Sequence, residues 1–358
     1  MVIPFLKELI LKDQVFLVLG ISIAISLILV FLLALSTVYL RLRNIRKAKR
    51  WQRLESEWEP IVLDFLVGER TPEAVRDQIK QKDSLYFLDF LLRFAQRLRG
   101  YETDAIAQLA EPYLPALVAR TKAGDPPRRA RAIRTLSLLG LESHPEAVLA
   151  ALDDPSPLVA MIAARALARK EHPEYAEAIL DKLHRFENWS RSYLASMLAS
   201  IGPEVAPDLR KTLANPGKLP EVRAVAADAL RALNDLQAGD QATRLLRTET
   251  DRDLVAATLR LLAEVGRSEH LEPVRRLCLS PDFVIRAQAL RALGTLGGPE
   301  DQPLFGAGLE DETPWVALQA AQGLLAVGGE HLLLGLAAAE LPGSELARQV
   351  LVEGGAAR

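Results

Sequence analysis

The sequence LPEVRAVAADAL, residues 219–230, ends in a leucine that recurs at a fixed interval through most of the chain. The equivalent leucines are Leu136, Leu167, Leu198, Leu230, Leu262, Leu293 and Leu324. Successive members are 31 or 32 residues apart, which is too regular to arise by chance. A period of this length indicates one supersecondary unit that stacks on copies of itself.

The residues around each leucine repeat as well. A β-branched or other anchor residue opens the segment, small or apolar residues follow four and five positions later, and the leucine stands at position eight. Position twelve is Gly140, Gly202, Gly266, Gly297 or Gly328 in five repeats, and Glu171 or Asn234 in two. Glycine and asparagine tolerate the left-handed conformation that ends many helices, so this frame predicts a helix that stops at position twelve.

A second, shorter helix is predicted between successive repeating helices. Examples are the segments 145–154, 173–186, 203–215 and 271–280, which lie between acidic or proline-bearing turns. Proline near a helix start costs little, because the first N–H groups have no internal partner. Two helices in every period predict an all-α fold built as a solenoid.

The pattern is an Asp/Pro turn, then Val-Arg, then Ala-Ala-x-x-Leu-x-x-x-Gly. It is clearest in residues 219–230 and in FVIRAQALRALG, residues 283–294. It resembles the short HEAT-like repeats of the phycobilisome-lyase type over roughly residues 105–337, and it lacks the signatures of tetratricopeptide and ankyrin repeats. The resemblance implies an α-solenoid of about seven to eight HEAT-like helical pairs.

An uncharged apolar run precedes the repeats. Residues 15–40 read VFLVLGISIAISLILVFLLALSTVYL, which is longer than the roughly 20 residues that a transmembrane helix needs. A signal peptide would have a basic start, a shorter apolar core and a cleavage site, whereas here Lys7, Glu8, Lys12 and Asp13 cancel. The run therefore predicts a single N-terminal transmembrane helix.

The flank after this helix is strongly basic. It contains Arg41, Arg43, Arg46, Lys47, Lys49, Arg50 and Arg53 before the first acid, Glu55. Basic flanks stay on the cytoplasmic side, so the N-terminus is predicted outside and the repeats inside. The basic run predicts contact with anionic lipid, although a topology signal alone would explain it. Trp51 and Trp58 fit either the membrane interface or packing on the next helix.

The segments together predict six regions of the chain. They are a short extracytoplasmic N-terminus at 1–14, the transmembrane helix at 15–40, a basic juxtamembrane helix at 41–59, an N-terminal helical cap at 60–104, the HEAT-like repeats at 105–328, and a C-terminal cap and tail at 329–358. Atypical caps are expected at both ends of a repeat array.

Helical spacing at 100° per residue divides each repeating helix into two faces. Positions 0, 4, 5, 8 and 12 form the core face, and positions 3, 6 and 10 form the opposite one. The resemblance implies that this opposite face lines the concave side of the solenoid. Its notable side chains, our candidate partner-binding groove, are Arg131, Arg134, Arg165, Arg169, Tyr193, Arg260 and Arg291, interrupted by Asp228. The alternative is a solvated helix face.

A second arginine series stands at position one. Its members are Arg129, Arg191, Arg223 and Arg286, and acids lie close in sequence at Asp125, Glu187, Glu221 and Asp282. A half-buried arginine needs a carboxylate partner. We therefore expect a structural ladder of ion pairs that joins successive repeats.

No pattern in the sequence predicts catalysis, a cofactor or a metal site. One cysteine, Cys278, excludes an internal disulfide and a multi-cysteine zinc site. The histidines form no close metal-type pair, and nucleophile-elbow and phosphate-loop signatures are missing. A net charge of −2 and the anchor disfavour nucleic acid, and no small-molecule substrate is evident.

The prediction is therefore a non-catalytic, membrane-tethered scaffold in the cytoplasmic (inner) membrane of a bacterium, with a membrane-associated protein partner. The resemblance extends to membrane-anchored bacterial HEAT-like proteins, and it implies a link to envelope-polysaccharide (glycosyltransferase) machinery. The alternative is a lyase-like enzyme or chaperone built on HEAT-like repeats, by analogy with bilin lyases.

Overall fold

The computed structural model describes residues 3–97, 101–169, 172–339 and 343–354. Within these ranges the regular secondary structure is entirely helical, which confirms the predicted all-α class. The chain divides into two compact units, Met1–Tyr113 and Leu114–Arg358.

The first unit begins with one very long helix, α1, which spans Ile3–Leu66. Its 64 residues extend roughly 95 Å at the usual helical rise. The predicted transmembrane and juxtamembrane segments are thus parts of a single helix, which continues past residue 60. Its large apolar side chains between Ile21 and Leu40 are exposed, and an 18-residue window has a mean hydropathy of 2.7. This helix is long and apolar enough to cross a membrane.

The C-terminal part of α1 packs on aromatic residues of α3, Ser84–Ala95. Trp58 is 4% exposed, and its ring lies edge-on to Phe87 at 5.3 Å between ring centroids. The Arg93 guanidinium lies 4.3 Å from the centroid of Trp51. Both tryptophans therefore pack on a following helix, α3, which agrees with the packing alternative. Helices α2, Pro72–Arg76, and α4, Tyr101–Ala110, complete this unit.

The second unit contains the repeats. It opens with α5, Leu114–Arg120. In the described part of residues 126–338, seven helices that carry the recurring leucines alternate with seven others. We call the first set the long helices and the second the shorter ones, although α10 has nine residues and α13 has ten. The long helices are α6 Pro126–Leu139, α8 Pro157–Leu167, α10 Arg191–Ala199, α12 Pro220–Ala232, α14 Arg252–Val265, α16 Phe283–Leu296 and α18 Pro314–Ala326. The shorter ones are α7 Pro145–Ala150, α9 Ala176–Lys182, α11 Ala206–Ala214, α13 Gly239–Thr248, α15 Leu271–Leu277, α17 Gln302–Leu309 and α19 Glu330–Ala338. Helix α20, Ser344–Glu353, follows them.

The two helix types form two layers. Each shorter helix of the later repeats packs against the long helix that follows it, as α11 does on α12 and α17 does on α18. Long helices pack on one another from α6 to α8 and from α10 through α18. Between α8 and α10, the 3₁₀ turn Leu183–Phe186 contacts both α8 and α12 and buries Phe186 completely. This two-layer stacking is that of a helical solenoid.

The seven recurring leucines form the centre of this solenoid, because all of them are 0% exposed. Burying a leucine side chain contributes about 1.5–3 kcal/mol relative to exposure, so the period seen in sequence is the period of the core. Later in the array, α16 and α18 approach closely at two glycines. A Cβ on Gly294 would lie 2.8 Å from the Cα of Gly323, so a larger residue there would separate the helices.

The helix ends differ in part from the prediction. Gly202, Gly328 and Asn234 have φ of 112°, 79° and 52°, as expected for left-handed ends. Gly140, Gly266 and Gly297 have negative φ instead. At Gly266 a Cβ would lie 2.4 Å from the carbonyl oxygen of Leu262, so close approach rather than handedness requires glycine there.

Candidate functional site

The arginines at position one form the expected ladder, but with different carboxylates. Arg129 binds both oxygens of Asp154 at 2.7 and 2.8 Å, and Arg286 binds both oxygens of Asp311 at 2.7 and 3.0 Å. Arg223 Nη1 donates to Glu249 at 2.8 Å. The predicted partners Asp125, Glu187, Glu221 and Asp282 were wrong. Arg129, Arg223 and Arg286 each reach forward about 25 residues, to the turn before the next long helix, and not to the acid beside them in sequence. Arg191 makes a different contact, with Asp228.

These ion pairs also close the turns of the backbone. Arg286 Nη1 donates to the carbonyl oxygens of Ser280 and Pro281, and Arg129 Nη1 does the same to Ala123 and Gly124. The hydrogen bond from Arg286 lowers the pKa of the Asp311 carboxyl, and burial opposes it only partly. This series is therefore part of the fold.

A similar ladder in the shorter helices was not predicted. Arg210 Nη1 binds both oxygens of Asp235 at 2.8 and 2.7 Å, and Arg275 Nε binds Asp301 at 2.6 Å. Both pairs span 25 or 26 residues. That separation equals the spacing in the first ladder, so a search for Arg and Asp at this interval would have found them.

Four arginines of the predicted groove behave differently. Arg131 and Arg134 on α6, Arg165 on α8 and Arg291 on α16 are exposed. Among the described residues, their side chains have no hydrogen bond or ion pair. Arg134, Arg165 and Arg291 share position six of their repeats, and Arg131 is on the same face of α6. We call these four residues the free arginine row.

The other three predicted groove residues are engaged within the fold. Arg169 Nη1 donates to the carbonyl oxygen of Ser137 at 2.9 Å, which joins the end of α8 to α6. The Tyr193 ring stacks on Trp189 with centroids 5.6 Å apart. Arg260 is bound to Asp228. The structure therefore separates the predicted groove into free and engaged side chains.

The sequence position of Asp228 suggested that it interrupts the basic face. The structure shows a different role for this residue. Its carboxylate is buried, and three arginines from three successive long helices surround it. Arg191 Nε lies 3.0 Å from Oδ2, Arg260 Nη2 lies 3.1 Å from Oδ1, and Arg231 Nε lies 3.9 Å from Oδ1. Arg191 makes this contact because residues 216 and 217, where the ladder acid would stand, are Pro-Gly.

A pocket of about 440 Å³ lies beside Arg191 at the starts of α10 and α12. Its apolar lining includes Phe186, Trp189, Leu194 and Leu219. Its charged lining includes the exposed carboxylates of Glu187, Glu221 and Asp253. The pocket thus combines an apolar wall with an acidic rim.

One group of side chains has ligand types that suit a metal. The nearest donor atoms of Asp240, Glu269 and His270 all lie within 4.8 Å of one another. However, His270 Nδ1 accepts the backbone N–H of Arg267 at 2.9 Å, which places the proton of the neutral ring on Nε2. Nε2 then donates to Asp240 at 3.1 Å and has no lone pair for a cation. The group closes a helix start.

The single thiol is also embedded in the core. Cys278 is 5% exposed, and its Sγ donates to the carbonyl oxygen of Val274 at 3.4 Å. Burial raises the pKa of the Cys278 thiol to about 12. A thiol in this environment is a poor nucleophile at neutral pH, because the thiolate is the reactive form.

A family model matches part of the repeat region. The family described as HEAT repeats (HEAT_2) matches residues 242–326. No curated protein matches the chain. A crystal structure of a Kap121p mutant aligns with a TM-score of 0.46 and 16% identity, over 77% of this chain and 38% of that one.

Two further structures are similar. The karyopherin Kap121p bound to the extreme C-terminus of the protein phosphatase Cdc14p aligns with a TM-score of 0.38 and 15% identity, over 75% of this chain and 41% of that one. An engineered protein aligns with a TM-score of 0.33 and 19% identity, over 76% of this chain and 85% of that one. The chain spans 38% and 41% of the two karyopherin chains. Residues 242–326 thus match the HEAT-repeat family, within a helical solenoid whose period extends from Leu136 to Leu324.

Proposed function

We propose that this chain is a non-catalytic, membrane-tethered scaffold whose HEAT-like solenoid binds an acidic segment of a protein partner through the free arginine row. The observation that carries the proposal is the contrast between paired and unpaired arginines. The ladder arginines have carboxylate partners within the fold, whereas Arg134, Arg165 and Arg291 have none among the described residues. Unpaired guanidinium groups on one face complement a carboxylate-bearing ligand.

Helix α1 supports the membrane half of the proposal. Its exposed apolar side chains would be solvated unfavourably in water and favourably in lipid. The basic residues from Arg41 to Arg53 favour an N-terminus outside and repeats in the cytoplasm. Arg50 and Arg53 pair with Asp83 and Glu57, so the proposed contact with anionic lipid falls to the residues from Arg41 to Lys49. In this assignment residues 15–40 span the inner membrane, 41–59 leave it, 60–104 cap the repeats at 105–328, and 329–358 close the array.

Attachment to the membrane would also affect the partner that the scaffold binds. A partner held by a membrane-bound solenoid stays near the membrane at a raised effective concentration. The partner class that we propose is a membrane-associated protein, and its finer identity, a component of envelope-polysaccharide glycosyltransferase machinery, rests on the resemblance alone. The Cys278 thiol and the His270 ring are both hydrogen-bonded within the fold. Because neither group is free for catalysis, we favour a scaffold over a lyase-like enzyme.

The test is affinity capture of the tagged full-length protein from native membranes in mild detergent, followed by mass spectrometry. One arm carries Arg134→Glu, Arg165→Glu and Arg291→Glu. The matched control reverses the same number of charges at Arg120, Lys122 and Arg244, which are exposed on shorter helices or turns. A protein captured by wild type and control, but lost in the first variant, is the expected result. Equal capture by all three would contradict binding through the row.

Membrane insertion has its own test. Reporter enzymes fused to either end of the chain distinguish the cytoplasmic from the outer side of the membrane. The proposal expects the N-terminal reporter outside and the C-terminal reporter inside. A protein recovered in the soluble fraction, or cleaved after residue 40, would contradict the anchor.

A further inference from the structure

We propose that Arg191, Arg231 and Arg260, gathered around Asp228, form a specific recognition site for a single carboxylate of a partner's peptide. This inference rests on the proposed protein-binding function and adds a particular anchor point to it. The site is not part of the free arginine row, because its arginines already surround a carboxylate of this chain.

The cluster around Asp228 differs in composition from the ladder pairs. Three guanidinium groups surround the single carboxylate of Asp228, although the carboxylates of Glu187, Glu221 and Asp253 line the pocket beside Arg191. Everywhere else in the ladders, one arginine meets at least one carboxylate of its own. The Asp228 side chain is 8% exposed and Arg260, which hydrogen-bonds it, is 20% exposed, whereas Arg191 and Arg231 are 35% and 42% exposed. An incoming carboxylate would therefore reach these two arginines at the surface and form charge-assisted hydrogen bonds with them.

The pKa of Arg260 reflects its burial and its charged neighbours. Burial lowers the pKa of the Arg260 guanidinium, and the neighbouring charges of Arg191 and Arg231 lower it further, against the effect of Asp228. A further carboxylate at this cluster would act on Arg260 in the same direction as Asp228 does.

Hydrogen-bond donors are available for such an anion. Arg231 is 42% exposed, and its shortest contact to Asp228 is 3.9 Å, which is too long for a hydrogen bond. Arg191 is 35% exposed and contacts Asp228 through Nε, which leaves its two terminal Nη groups without a described partner. Guanidinium groups offer paired N–H donors in the geometry that a carboxylate accepts.

The surroundings favour a peptide as the source of the carboxylate. Arg191 also lines the apolar pocket, which is large enough for a leucine or an aromatic side chain. The rim carboxylates of Glu187, Glu221 and Asp253 lie on the pocket side and would repel a polyanion such as nucleic acid. A segment with one acidic residue beside a large apolar residue satisfies both features.

The probe is a short fluorescein-labelled peptide with one glutamate between two leucines. Matched peptides carry glutamine or phosphoserine at the central position. Fluorescence anisotropy with the full-length protein in detergent, at low ionic strength, measures their affinities. We expect the glutamate peptide to bind more tightly than the other two. Tighter binding of the phosphoserine peptide, or no preference for glutamate over glutamine, would overturn the proposal.

Two variants with opposite expected signs test the site itself. Arg231→Gln removes an exposed donor and should weaken binding of the glutamate peptide about tenfold, the equivalent of ~1.4 kcal/mol. Asp228→Asn removes the competing carboxylate and should strengthen it several-fold. Arg244→Gln, an exposed arginine on α13, is the control and should change nothing. A purely structural cluster would weaken binding in both variants, and that result would overturn the proposal.

Failure of this inference can be told apart from failure of the proposed function. If the peptide is insensitive to Arg231→Gln but is lost when Arg134, Arg165 and Arg291 are changed to glutamate, the row binds and the Asp228 site does not. The opposite result is loss of peptide binding in Arg231→Gln while the native partner still binds the variant with glutamate at Arg134, Arg165 and Arg291. That result would support the Asp228 site and contradict binding through the free arginine row.

Discussion

Two arginines on the same helix show how one residue type takes two roles in this molecule. Arg286 and Arg291 both belong to α16 and differ by five positions. Arg286 lies at the start of the helix, where its guanidinium binds Asp311 and two backbone carbonyl groups. Arg291 is exposed and has no described partner. The first holds neighbouring repeats together, and the second is available to a ligand.

Between these two arginines the difference follows the angle around the helix, whereas at Arg260, also in position six, the neighbouring Asp228 supplies a partner. Position one lies beside the turn that follows the next helix, where Asp154, Glu249 or Asp311 accepts the guanidinium. Position six points away from that turn. A solenoid can therefore use one side of each long helix for cohesion and the other for recognition.

The largest effect on the free energy of unfolding is expected from a substitution in the buried leucine series. The spacing of these leucines defines the helix positions compared above. Leu230 is completely buried at position eight of α12. Leu230→Ala should lower the free energy of unfolding by about 2–5 kcal/mol, because it removes buried methyl groups and leaves a cavity. Urea unfolding followed by circular dichroism measures it. A change below about 0.5 kcal/mol would show that the register is wrong.

The next effect separates the two arginines directly. Arg286→Ala should lower the free energy of unfolding by about 2–4 kcal/mol, because Asp311 would lose both of its guanidinium hydrogen bonds. Arg291→Ala should stay within about 0.5 kcal/mol of wild type. The same unfolding experiment measures both. Equal losses in the two variants would remove the distinction on which the proposed function depends.

Acid should weaken the paired series and leave the free arginine row unaffected. Hydrogen bonds from Arg129 and Arg286 lower the pKa of the Asp154 and Asp311 carboxyls in the folded protein. In the unfolded chain these carboxyls titrate near about 3.9. Their contribution is therefore complete above that pH and is lost as the pH falls toward the lower folded values. The free energy of unfolding of wild type should decline as the pH falls through this range. The decline should be shallower in the double variant Asp154→Asn, Asp311→Asn. Equal slopes would contradict the pairing.

The smallest effect on stability is expected from changes to the free arginine row, which should act on partner binding instead. The triple variant Arg134→Gln, Arg165→Gln and Arg291→Gln should leave the melting temperature nearly unchanged. It should bind the partner that wild type captures more weakly. Thermal unfolding monitored by circular dichroism and quantitative capture measure the two quantities on one preparation. A large fall in melting temperature would mean that the row is structural.

Much of this molecule follows from the sequence because its core is periodic. Seven leucines in step identify the buried face of every long helix, and all seven are fully buried. The same helical geometry correctly placed Arg134, Arg165 and Arg291 on the exposed face. The burial of the leucines follows from position along a helix, which sequence spacing determines, whereas position six also holds the buried Asp228.

Contacts between repeats were harder to predict. The ladder acids lie 25 or 26 residues ahead, across a turn whose path the sequence does not specify, so nearby acids were chosen instead. Asp228 was interpreted as a break in the basic face, because sequence alone did not show that Arg191 lacks its usual partner and turns toward it. Gly140, Gly266 and Gly297 likewise end helices without the left-handed conformation, because close packing alone can require glycine.

The most direct test places a photo-crosslinker on the proposed binding face without removing a charge. Ser196 and Gln322 occupy position six of their repeats and are exposed, as Arg134 and Arg165 are. Benzoylphenylalanine at either position, irradiated in native membranes, should give a discrete adduct with the captured partner. The same crosslinker at Arg244, on the shorter-helix layer, should give none. An adduct from Arg244 with none from Ser196 or Gln322 would contradict the account, because the partner would then bind the other layer.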